Sequence, residues 1–110
     1  MQTTSNISIP YDRLAEFCHR RQISELALFG SVLRDDFRPD SDVDVLVTFS
    51  PQAHWSLFDI IEMQDEIQQI FKREVDLVER KAVESSPNYI RRKHILEDLE
   101  IIYNLPGIQR

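Results

Sequence analysis

The chain has 110 residues, 42% of them apolar, with two glycines, one cysteine and a formal net charge of −6. That length predicts a single domain over residues 1–110 with one modest core, and the acidic balance argues against direct nucleic-acid binding, which calls for a basic face. Cys18 has no second cysteine to pair with, the polar start from Met1 to Pro10 lacks a signal-peptide apolar region, and no apolar run reaches the ~20 residues of a membrane helix, so a cytoplasmic protein without membrane contact is expected.

In chain order, Pro10 to Gln22 reads as a helix, because Leu14, Phe17 and Cys18 recur at three- and four-residue spacing and Pro10 suits a first helical turn. Leu26 to Phe29 is a short apolar run that reads as a buried strand, and Ser31 to Asp36 as a short helix. Arg38-Pro39-Asp40-Ser41 is a turn by composition. Val43 to Phe49, rich in β-branched residues, reads as a second strand, broken by Ser50-Pro51-Gln52. Trp55 to Phe71 reads as a helix with an apolar stripe of Leu57, Ile60, Ile61, Met63, Ile67, Ile70 and Phe71. Glu74 to Val78 alternates as a third strand, with Val75 and Leu77 on one face and Asp76 on the other. Ser86-Pro87 reads as a cap and first-turn proline opening a last helix from Asn88 to Tyr103. This order predicts an α/β (α+β) domain, a small mixed β-sheet with helices packed on it.

The stretch richest in chemistry is Gly30-Ser31, a ten-residue gap, then Asp42-Val43-Asp44. Glycine is scarce here, so Gly30 after a strand marks a sharp turn or a close approach to a ligand. A strand-to-helix turn aims backbone N–H groups at an anion, to which the Ser31 hydroxyl and Arg34 add donors; Arg38 is a weaker candidate. Asp42 and Asp44, two residues apart on a strand, leave one face about 7 Å apart. Five carboxylates, Asp35, Asp36, Asp40, Asp42 and Asp44, fall within ten positions and repel one another unless a cation sits among them. Hard Mg²⁺ prefers carboxylate and phosphate oxygens. Asp76 could complete the set, as base for an incoming hydroxyl or as a further metal ligand. His19, His54 and His94 show no metal-ligand spacing. Cys18 reads as core, Trp55 as the anchor of a helix start, and Glu62, Asp65 and Glu66 as a solvated helix face.

Phe29-Gly30-Ser31, Arg34, Arg38 to Asp44 and Val75-Asp76-Leu77-Val78 together resemble the nucleotidyltransferase superfamily that includes DNA polymerase β. Within it the chain is most similar to minimal nucleotidyltransferase (MNT) proteins, the MntA-type antitoxins, from Leu26 to near Tyr103. The resemblance implies the polymerase β-like nucleotidyltransferase fold, Asp42, Asp44 and Asp76 as catalytic and metal-binding carboxylates, and Gly30, Ser31 and Arg34 as the nucleotide-binding turn. It also implies Mg²⁺ as cofactor, ATP as substrate, and a HEPN-domain ribonuclease toxin as partner, silenced by AMP transfer to a tyrosine. Many relatives carry Gly where this chain has Asp35. Two alternatives stay open: a non-catalytic antitoxin that masks the toxin by binding, and a small-molecule (aminoglycoside-like) nucleotidyltransferase. The apolar residues of the last helix, with Leu96 or Tyr103 as anchor, are candidates for a toxin-contact patch.

Overall fold

The computed structural model describes residues 7, 9–34, 38 and 41–104. The elements are α1 (Tyr11–Arg20), β1 (Ile23–Phe29), a 3-10 turn (Gly30–Leu33), β2 (Val43–Phe49), α2 (Leu57–Phe71), β3 (Val75–Glu79), α3 (Arg80–Glu84), α4 (Tyr89–Glu97) and β4 (Glu100–Asn104). Among the described residues the strands form one mixed sheet in the order β3-β2-β1-β4. β1 runs antiparallel to both β2 and β4, and β2 pairs in parallel with β3.

Strand alternation divides the sheet into two faces. Leu26, Leu28, Val43, Val45, Val47, Val75 and Leu77 point to the larger core, where Leu14, Phe17 and Cys18 of α1 and Met63, Ile67 and Ile70 of α2 cover them. Each such aliphatic side chain contributes about 1.5–3 kcal/mol on burial. The opposite face carries Ala27, Phe29 and Leu46, which pack on Val83 of α3 and Ile95 of α4. The cover on this second side is short, and it is the side to which Asp44 and Asp76 belong by their alternation with the buried valines.

α2 starts with a reciprocal cap. The Ser56 hydroxyl accepts from Asp59 N–H at 3.2 Å, and the Asp59 carboxylate accepts from Ser56 N–H at 2.9 Å. Its stripe is narrower than expected: Met63, Ile67 and Ile70 are buried, whereas Leu57 and Ile61 are 74% and 57% exposed. Ile61 falls off the i, i+4, i+7 row that meets the sheet, and Leu57 stands in the opening turn. Glu66 is not simply solvated, because Arg20 at the end of α1 and Arg21 just after it both reach it, at 2.7 and 2.9 Å. Trp55 is the expected anchor: its indole N–H donates to the Arg21 carbonyl at 3.0 Å, and the Arg21 guanidinium lies over its ring.

The last part of the chain differs from the sequence reading. The helix from Asn88 ends at Glu97, and Glu100–Asn104 is a strand on the free edge of β1. Ile95, Leu99 and Ile102 keep helical spacing, but Ile101, Ile102 and Tyr103 are β-formers and β1 offers an unpaired edge, so pairing wins over local periodicity. A register shift between Leu26 and Ala27 in that ladder accompanies the burial of both Ile102 and Tyr103. The cap is Asn88, whose side chain accepts from Arg91 N–H at 3.0 Å, rather than Ser86. α3, five residues long, follows β3 directly and has no counterpart in the expected order. The 3-10 turn closes at Leu33, so Arg34 is its extended C-cap residue and not part of a helix; Asp35 and Asp36 lie outside the described residues.

β3 is an edge strand, and α2 covers its outward N–H groups. Gln68 accepts from Val75 N–H at 3.1 Å and Gln64 from Leu77 N–H at 3.0 Å, one bond on each side of Asp76. Replacing both glutamines with Leu orphans two half-buried donors at about 1–3 kcal/mol each. Hydrogen exchange at Val75 and Leu77 should then quicken selectively, while the β1–β2 ladder exchanges at its parent rate apart from the global loss of stability.

Candidate active site

The two strands that carry Asp44 and Asp76 lie side by side and in register. Val43 pairs with Val75, Asp44 with Asp76 and Val45 with Leu77. In a parallel pair, adjacent strands are about 4.8 Å apart, and residues in register share a face. The two carboxylates therefore leave the same face of the sheet as neighbours. On the other side of β2, Asp44 pairs with Phe29, the last residue of β1. Gly30 follows at φ +80°, a left-handed conformation that side chains other than glycine's rarely adopt. A Cβ placed on Gly30 would overlap the Asp44 Oδ2 oxygen. Gly30 is thus required twice, by its backbone angle and by the carboxylate lying against it.

A cleft of about 790 Å³ opens over this point. Gly30, Arg34, Asp44 and Asp76 line it, together with Arg91 and His94 of α4. Its size is within the 300–1,000 Å³ of ordinary ligand sites. A groove of about 960 Å³ lies at the opposite ends of β2 and β3, against Phe49, Trp55, Leu57 and Arg80, but it holds none of the carboxylates under discussion.

The electrostatics of the cleft centre on Asp44. Its pKa is raised, first by desolvation on burial, then by the negative charges of Asp76 and Asp42; Arg34 and Arg91 pull it the other way. Asp44 thus lies within the field of both other carboxylates and of two guanidinium groups. Asp42 is exposed, one residue before β2, and reaches the cluster by its charge without lining the cleft. Its flanks are fixed: Val43 N–H donates to the Glu74 carbonyl at 2.9 Å, and Arg73 donates to the Ser41 carbonyl at 3.4 Å. Ser31 is half-buried in the 3-10 turn, accepts Arg34 N–H at its carbonyl, and does not line the cleft. Arg38 is exposed and its N–H is bound by the Ser41 hydroxyl.

Of the six candidate site residues, Gly30, Arg34, Asp44 and Asp76 line one cleft, and Asp42 and Ser31 flank it. Sequence reasoning passed over Arg91 and His94. His94 lacks metal-ligand spacing and reads only as part of the inner side of the last helix, with Ile90, Ile95, Leu99 and Ile102, and Arg91 stands in a run of four basic residues with no visible specialisation. The usable signal was helical: Arg91, His94 and Ile95 share one face, and Ile95 is the buried one. Cys18 is fully buried, with its thiol pushed up to about 12 by burial, and takes no part.

No three His, Cys, Asp or Glu side chains among the described residues are grouped so as to enclose a metal ion by themselves. That arrangement fits Mg²⁺ all the same, because this ion is usually held by one or two carboxylates plus substrate phosphates and water, not by an all-protein cage. Asp44 and Asp76 supply hard oxygen donors, and Gly30 leaves room beside them.

An acidic pair on neighbouring parallel strands, with a glycine turn beside it, can hold a divalent cation next to a phosphate. Residues 12–101 match the nucleotidyltransferase domain family, and the chain belongs to it. The protein adenylyltransferase MntA of Thermococcus cleftensis is 34% identical over 64% of this chain and 69% of its own. Among solved structures, a toxin–antitoxin with AMP-PNP superposes with a TM-score of 0.65 at 14% identity, over 89% of this chain and 76% of that one. A Shewanella oneidensis complex of a tri-AMPylated HEPN toxin with its MNT antitoxin gives 0.57 at 14% identity, over 86% and 69%. At such identities the two structures establish the shared fold. The chain is a nucleotidyltransferase-family enzyme, and none of its described helices is long and apolar enough to cross a membrane.

Proposed function

We propose that this protein transfers AMP from ATP to a tyrosine hydroxyl of a HEPN-type toxin and acts as that toxin's antitoxin. The observation that carries the reading is the in-register pair Asp44 and Asp76 with Gly30 against it. The likeness to a protein adenylyltransferase, and the toxin–antitoxin context of the structural relatives, supply the class of acceptor.

Gly30 and the adjoining turn admit the phosphates, and Arg34 pairs with their oxygens. Asp42, Asp44 and Asp76 would hold Mg²⁺, which when bound polarises phosphate oxygens and offsets their charge. Asp76 is exposed in the cleft, whereas Asp44 is half-buried. Asp76 is therefore placed to take the proton of the incoming hydroxyl. The hydroxyl oxygen bonds to the α-phosphorus, the bond from that phosphorus to the bridging oxygen breaks, and pyrophosphate leaves. The Asp44 carboxylate lies against Gly30, beside the turn that admits the phosphates.

The toxin must dock beside this cleft. Tyr103 is buried and Leu96 half-buried, so the expected anchors are replaced by Tyr89 and Ile90 of α4, which are 60% and 67% exposed and directly precede Arg91. The test is to incubate the protein with ATP, Mg²⁺ and a purified HEPN-type ribonuclease as candidate partner, then to weigh both chains and re-assay the separated toxin. The toxin should gain one or more AMP units and stay silent after separation. An unmodified toxin that recovers its ribonuclease activity would mean masking by binding instead.

A further inference from the structure

α4 opens with Tyr89-Ile90-Arg91-Arg92-Lys93-His94, a basic run in a chain of net charge −6. The structure separates these neighbours. Arg92 is turned back: it donates to the Ser86 carbonyl at 2.6 Å and lies over the Tyr89 ring. Lys93 is exposed and does not line the cleft. Arg91 is exposed and does line it, as does His94, one turn further along. The turn that carries Arg91 is held at both ends. Asn88 accepts from Arg91 N–H at 3.0 Å, and Ile95, four residues on, is buried against Ala27, Phe29 and Leu46. Arg91 is therefore a guanidinium on a fixed helical turn, delivered into a cleft whose floor is carboxylate. Its charge offsets that of Asp44, and guanidinium also matches phosphate oxygens two at a time, so a phosphate bound over the carboxylates would meet it.

We propose that Arg91 is a second phosphate anchor of the cleft, reaching the nucleotide from α4 while Arg34 reaches it from the end of the 3-10 turn. This rests on the nucleotidyl-transfer reading above and adds to it that α4 belongs to the nucleotide site as well as to the toxin-facing rim.

ATP affinity, measured by titration calorimetry at saturating Mg²⁺, tests it on the full chain. Arg91→Ala should weaken ATP binding about tenfold or more, the loss that goes with one charge-assisted contact. Arg91→Lys should recover part of it, since charge is kept and the two-point contact is lost. Lys93→Ala, on the same helix and outside the cleft, should bind like the parent. Parent-like binding by Arg91→Ala, or equal losses in Arg91→Ala and Lys93→Ala, overturns the assignment while the nucleotide reading stands. A parent that binds no ATP overturns both.

Discussion

Replacing Asp44 with Asn is expected to cut AMP transfer by roughly a hundred- to a thousandfold and to raise the melting temperature of the nucleotide-free protein. The two effects have one cause. Burial and the charges of Asp76 and Asp42 hold the folded-state pKa of Asp44 above its ordinary value. A carboxyl whose pKa rises on folding favours the folded state in its protonated form. It costs nothing at pH below its unfolded-state pKa of about 3.9, and the cost grows as pH rises through the folded-state value. At neutral pH the full cost is present, so removing the charge stabilises, and the gain should vanish in acid. Mg²⁺ with ATP reverses the ranking. At one hundred times the dissociation constant, ligand adds about 2.7 kcal/mol to the parent, and Asp44→Asn should lose most of that gain. Melts at neutral and acid pH, with and without Mg²⁺ and ATP, check both halves. A variant that is less stable than the parent without ligand would contradict the electrostatic account, and one that keeps the full ligand-induced shift would contradict the site.

Gly30→Ala should damage activity more than it damages the fold. The left-handed backbone at φ +80° costs a non-glycine residue about 1–2 kcal/mol, a fall of several degrees in melting temperature for a domain of this size. The added methyl also meets the Asp44 Oδ2 oxygen. Asp44 is short and sits on the central strand β2 between β1 and β3, so the relief available is rotation of its carboxylate away from the cleft. Transfer should fall about a hundredfold even at temperatures where the variant is fully folded. Far-UV circular dichroism beside the transfer assay separates the two. Parent-like turnover by a folded Gly30→Ala protein would mean that the closeness of Gly30 to Asp44 has no catalytic role.

The centre of the molecule was legible in the sequence for a physical reason. β1, β2 and β3 are short apolar or alternating runs bounded by turn residues, and the period of two that buries Val43, Val45, Val75 and Leu77 is the same period that turns Asp44 and Asp76 to the other face. Gly30 stood out through scarcity. What local patterning could not carry was anything decided by a distant partner. β4 exists because β1 has a second edge: the β-formers Ile101, Ile102 and Tyr103 compete with the helical spacing of Ile95, Leu99 and Ile102, and the edge decides between them. Leu57 and Ile61 lie off the Met63, Ile67 and Ile70 row that docks on the sheet, and which row docks is decided by the sheet. Arg91 and His94 enter the cleft because Ile95 docks their shared helical face on the sheet; the face is readable in the sequence, but what it meets is not.

The in-register carboxylates are the core of the proposal, and the fate of the two ends of ATP tests them most directly. The parent, Asp44→Asn and Asp76→Asn should each be incubated with Mg²⁺, the toxin and ATP labelled at either the α- or the γ-phosphate. The parent should place α-label on the toxin and release γ-label as pyrophosphate, and both variants should do each at least about a hundredfold more slowly while remaining folded. Transfer of γ-label to protein, or undiminished α-label transfer by the two variants, would contradict the assignment of Asp44 and Asp76 as the site of AMP transfer.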